Sequence, residues 1–169
     1  INKALFLISG LMLICQMQTI AQTVVVSNLN NSLKFEFLGD TASGEINTLC
    51  IEEIPDSLYD DIPKEYFNVE YISIHDSTIT TIENWIGNFR KVKEVFWVIQ
   101  NLVDISDAIK ECKDLICIKI YSEFLTKIPE SIFKLKNLRC LMFTKAPIKI
   151  IPEEIGLLRK LEYLTFDSC

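Results

Sequence analysis

The sequence carries one histidine in 169 residues and no surplus of positive charge: 17 Lys and Arg stand against 23 Asp and Glu, a formal charge of −6. Nucleic-acid binding calls for a basic stripe, so that class is excluded. Simple adsorption to an anionic membrane surface is excluded on the same ground. The chain has no glycine-rich phosphate loop and no Ser-His-Asp pattern, which removes the usual signatures of nucleotide chemistry and acyl transfer. Six cysteines are present, but none stand in C-x-x-C spacing, so no zinc motif is written in the chain. No run of like charge marks a disordered tail. These absences leave no metal and no cofactor to expect.

The longest apolar run is short. Ala4 to Cys15 reads ALFLISGLMLIC, with Lys3 before it and the small residue Ala21 after a polar stretch. A basic start, about a dozen apolar residues and a small residue at a cut point make a secretory signal peptide. The run is too short to cross ~30 Å of hydrocarbon comfortably. Residues 1–21 are therefore expected to be removed, and the protein to be exported: secreted, periplasmic or on the cell surface. Ile14 stands where a lipid-attachment signal needs a small residue. Membrane association would follow only if Cys15 carried a lipid. Without the leader the charge becomes −7, because Lys3 is its one charged residue.

What the sequence has is a period. Leu135, Leu138, Leu141 and Phe143 recur 23 residues later as Leu158, Leu161, Leu164 and Phe166. They recur earlier as Cys112, Leu115, Ile118 and Ile120, then as Phe89, Val92, Val95 and Trp97, then as Tyr66, Val69, Ile72 and Ile74. A weaker copy is Ile46, Leu49 and Ile51. Further columns keep the same step: Ile79, Leu102, Leu125, Ile148; Ile82, Ile105, Ile128, Ile151; and Ile86, Ile109, Ile132, Ile155. A period of this length marks a stacked repeat architecture.

The segment Ile128-Pro129-Glu130-Ser131-Ile132-Phe133-Lys134-Leu135-Lys136-Asn137-Leu138-Arg139-Cys140-Leu141 resembles the I-P-x-x-I-x-x-L-x-x-L-x-x-L unit of leucine-rich repeats. The likeness is to the 23-residue type of small-GTPase-associated and plant-resistance-like members, and covers roughly residues 46–169. It implies an α/β fold: a right-handed horseshoe solenoid with one parallel β-sheet on the concave face and short helices or 3-10 turns on the convex face. The residues agree with it. In Leu-x-Leu, alternate side chains point to opposite faces of a strand, and the spacing of residues 132, 135 and 138 suits a helical turn. One unit cannot bury both faces alone, but stacked units form a continuous core.

The resemblance also implies an Asn five positions after the third Leu, bonding the backbones of neighbouring turns. Here that column reads Ser77, Gln100, Glu123 and Ala146. Irregular turns with some unbonded backbone are therefore expected there. Residues 22–45 fall outside the repeat. Val24–Val26 and Leu33–Phe37 read as two short strands around an Asn30-Asn31 turn, expected to cap the solenoid. Residues 46–169 hold about five to six repeats. Cys169 shares the column of Ala146, so the sequence stops in mid-repeat, and further repeats or another domain are expected to follow.

The strand positions name the exposed face. Residues flanking the inward pair include Tyr71, Ser73 and His75, then Glu94, Phe96 and Val98, then Lys119 and Tyr121, then Met142 and Tyr163. Phe96, Val98, Tyr121 and Met142 form a partly apolar patch of the kind that binds proteins. The expected function is non-enzymatic recognition of a protein or cell-surface ligand, without a small-molecule cofactor. Two other readings fit a repeat protein: the substrate-selecting part of a larger enzyme, or a structural surface stalk. Cys117 and Cys140 share one column on adjacent strands, ~4.8 Å apart. That permits a disulfide and equally permits two free thiols.

Overall fold

The computed structural model describes residues 23–29, 32–38, 46–54 and 56–167. The leader of residues 1–21, the Asn30-Asn31 turn and Cys169 lie outside them. Among the described residues there are ten strands: β1 (Thr23–Leu29), β2 (Ser32–Leu38), β3 (Thr48–Glu52), β4 (Tyr71–His75), β5 (Thr81–Ile82), β6 (Glu94–Val98), β7 (Asp104–Ile105), β8 (Cys117–Tyr121), β9 (Cys140–Thr144) and β10 (Tyr163–Asp167). Eight form one sheet in the order β10-β9-β8-β6-β4-β3-β1-β2. From β3 to β10 every pair is parallel, and each residue faces the one 23 positions away. The sequence period is therefore the sheet register. β1 joins the edge parallel to β3, and β2 folds back antiparallel on β1.

Between strands the chain returns along the opposite side through 3-10 segments at Asp56–Asp61, Lys64–Asn68, Asn84–Asn88, Asp107–Glu111, Glu130–Lys134 and Glu153–Leu157. Among the described residues no α-helix occurs. The segments run five or six residues, long for the tighter 3-10 form, in which runs beyond three or four residues are uncommon. The last two segments begin after Pro129 and Pro152, whose fixed φ of −60° and −73° suits a helix start. Ser106 caps another, its hydroxyl accepting from the Ala108 N–H at 3.2 Å.

The core runs from β1 to β9; in the last coil the inward residue Leu164 is exposed and Phe166 is half-buried. Inward strand residues Ile72, Ile74, Val95, Trp97, Ile118, Ile120, Leu141 and Phe143 meet Ile86, Ile109 and Ile132 from the convex side, and all are buried. At the N-terminal edge Val24 and Val26 lie in register with Leu49 and Ile51 and are fully covered. Trp85 stacks on Tyr59 at 4.4 Å and meets Phe89 edge-on, filling the first coils with aromatic area.

The turns after the strands vary from coil to coil, as expected, but the expectation of unbonded backbone is corrected where each strand ends. The N–H groups of Glu53, Asp76, Ile99, Ser122 and Lys145 each donate to the carbonyl that ends the next strand, at 2.8–3.2 Å. The polar residues that organise these turns sit one position before the expected column. Asp76 is buried, and its Oδ1 accepts from the Thr78 N–H, the Thr78 hydroxyl and the Ile79 N–H. Buried Ser122 donates to the Leu102 carbonyl and accepts from the Phe124 and Leu125 N–H groups. In the first and last turns the same column holds Glu53 and Lys145 at φ 45° and 59°, and the following residue, Ile54 or Ala146, is the buried one. The stack thus varies one turn from coil to coil: a buried polar residue at Asp76 and Ser122, a left-handed residue at Glu53 and Lys145, and buried Ile99 in the turn between.

Candidate binding face

In every parallel strand the residues not turned into the core form one outer face, and the shared register sets them in rows. One row is Tyr71, Glu94, Cys117, Cys140 and Tyr163; the next is Ser73, Phe96, Lys119 and Met142; the third is His75, Val98, Tyr121 and Thr144. All ten residues expected on this face lie on it. Tyr71, Ser73, His75, Glu94, Phe96, Val98, Tyr121 and Met142 are half-buried, while Lys119 and Tyr163 are exposed. At β3 the face is closed, because Thr48 and Cys50 are buried.

The aromatic residues are held in place. The rings of His75 and Phe96 meet edge to face at 5.9 Å, and His75 Nε2 lies 3.1 Å from the Ser73 hydroxyl. Burial holds the His75 pKa below the ordinary histidine value, so the ring is neutral at pH 7. The Tyr121 hydroxyl donates to Glu123 Oε1 at 2.9 Å, and Lys145 Nζ lies 5.9 Å from the centre of the Tyr121 ring. Gln100 donates to the other Glu123 oxygen at 3.3 Å. The bond from Tyr121, then that from Gln100, lowers the Glu123 pKa. Gln100, Glu123 and Lys145 therefore rim the patch. Sequence reasoning assigned Gln100 and Glu123 to turn bonding and did not single out Lys145; its left-handed turn, which aims the side chain back at Tyr121, has no signal in the sequence.

Cys117 and Cys140 are register partners and stand as two free thiols, not as a disulfide. Burial first, then Cys140, pushes the Cys117 thiol up to about 12. Cys112 is a core residue whose Sγ donates to the Ile86 carbonyl at 3.3 Å; burial raises it to about 12 as well. On the convex side a groove of about 550 Å³ is lined by residues of both signs, including Lys110, Glu111, Glu130 and Lys134. Lys110 and Lys113 are partly satisfied there by Asp107 and Glu111 at 4.0 Å, and no aromatic residue lines it.

A solved leucine-rich-repeat protein of Leptospira interrogans superposes with a TM-score of 0.54 at 18% identity, over 72% of this chain and 36% of that one. The fold is that of a leucine-rich-repeat protein. The chain spans about a third of that protein's length. No family model and no curated protein matches the sequence. The leucine-rich-repeat likeness is one of backbone and stacking. The face itself differs from coil to coil, while the core columns stay apolar.

Proposed function

We propose that this chain is an exported, non-catalytic protein-binding module that recognises its partner through the outer face of the sheet. One observation carries the reading. Phe96, Val98, Tyr121 and Met142 lie together on three adjacent, in-register strands, half-exposed, with Glu94 and Lys119 among them. Aromatic and Met side chains inside a polar surround are the composition of interface centres. The neighbouring contacts favour the same reading: Glu123 and Lys145 fix the Tyr121 ring before any partner arrives, which reduces the ordering cost of association. His75, neutral and bonded only to a serine hydroxyl, serves as a flat contact surface. Export rests on the apolar leader of residues 1–21.

A photo-crosslinking residue placed at Phe96, and in a second chain at Lys134 on the convex side, tests the face. Crosslinking to a protein from the outer face, lost on adding Tyr121→Ala, is the expected result. Equal capture from both positions would show that the sheet face is not the recognition surface.

A further inference from the structure

Among the described residues no three of His, Cys, Asp and Glu converge to hold a metal, so ions that need nitrogen or oxygen ligands have no such cluster here. A different donor set is present. Cys117 on β8 and Cys140 on β9 are register partners with free thiols on one face of the sheet. Met142 lies two residues beyond Cys140, on the same face of the same strand and diagonal to Cys117. Two residues along a strand are ~6.6 Å apart and adjacent strands ~4.8 Å apart, within reach of a Met side chain with its three rotatable bonds. The three sulfurs are 2 to 25 residues apart in sequence, with no ligand motif among them, and only the 23-residue register gathers them.

We propose that Cys117, Cys140 and Met142 form a soft-metal site selective for Cu(I). Thiolate and thioether donors favour this ion over the harder divalent metals; Glu94, opposite Cys117 on β6, is the carboxylate beside them. The alternative closure, a disulfide, fits less well. In-register parallel strands hold the two Cβ atoms near the strand spacing of ~4.8 Å, beyond the 3.5–4.5 Å that an unstrained bridge spans. A metal ion between the sulfurs bridges a wider gap. On binding, the two thiols give up two protons and Cu(I) enters without change of oxidation state, leaving a single negative charge on the copper–dithiolate. Lys119, two residues from Cys117 and directly opposite Met142, supplies the neighbouring positive charge. Met142 and Lys119 also belong to the proposed partner-binding face, but the sulfur site does not rest on that reading.

The test uses the full chain with Cys15→Ser and Cys169→Ser, reduced and under argon, titrated against a chromophoric Cu(I) chelator. One tightly held Cu(I) per chain is expected. Cys117→Ser and Cys140→Ser should each abolish it, while Cys50→Ser retains it. Met142→Leu, a volume-conserving change on the exposed side, should weaken binding by about tenfold or more, the loss that follows even removal of an outer-shell partner. No uptake by the parent chain, or uptake that survives both cysteine changes, would overturn the site. So would an unchanged affinity in the Met142 variant, whose folding is checked by its circular dichroism. Partner crosslinking from Phe96 is a separate readout, so failure of one proposal leaves the other standing.

Discussion

Asp76 shows how one side chain replaces a column of asparagines. Its Oδ1 accepts three hydrogen bonds, two from backbone N–H groups and one from a hydroxyl. Asp76→Ala leaves the buried Ile79 N–H without that acceptor and should destabilise the chain by about 1–3 kcal/mol. Asp76→Asn, which keeps a carbonyl oxygen in place, should cost clearly less; urea unfolding of the two variants checks the order. His75 gives a pH effect with a definite sign. Its folded pKa is lowered below 6.5 by burial, so below that value the unfolded chain binds the extra proton more readily. The associated stability is complete above pH 6.5 and is lost as pH falls. Melting temperatures from pH 7.5 to 5 should drop less in His75→Gln than in the parent chain. At this scale the sequence was legible only in part. The ten outer-face residues follow from strand alternation alone. The turn-bonding residues do not, because a one-position shift, to Asp76 and Ser122, leaves the apolar columns unchanged. Burial of Cys50 depends on contacts its column position does not describe.

The elements follow from the columns because each coil repeats one pattern of inward residues. Strands β3, β4, β6, β8, β9 and β10 fall where the alternating columns put them. The two-residue strands β5 and β7 escape notice, since Thr81–Ile82 and Asp104–Ile105 are too short to alternate. The convex segments can be placed from sequence, but not typed. A run of five helical residues satisfies both the α and the 3-10 spacing, and packing of neighbouring coils decides. Gly87 records that packing: a Cβ there would meet the Cβ and the carbonyl oxygen of Ala108 at 3.1 Å. Gly87→Val should force the segments at residues 84–88 and 107–111 apart and cost about 1–3 kcal/mol. Gly156, in the last described convex segment, has nothing within 4 Å of such a Cβ. Gly156→Ala should therefore be neutral or stabilise by up to about 1 kcal/mol, through the unfolded chain. Thermal unfolding of the pair isolates the effect of coil spacing. Ile132→Ala, at a fully buried convex position, should cost about 2–5 kcal/mol.

For the whole molecule, stability is a sum over neighbouring coils, since each strand pairs only with the coil before and the coil after. One residue opposes its partner at a constant distance of 23 along the chain throughout β3 to β10. Chain length in this protein is consequently quantised. Deleting residues 94–116 would bring β8 beside β4, with Ile118 opposite Ile72 and Ile120 opposite Ile74, and every later coil would keep its place. Deleting one residue fewer would move each following side chain to the wrong face at the junction. The shortened chain should fold cooperatively at a lower melting temperature, and the mismatched one should not. Such a molecule can grow or shrink by whole coils without redesigning its core, while the outer face gains or loses one complete row-set of contacts at a time.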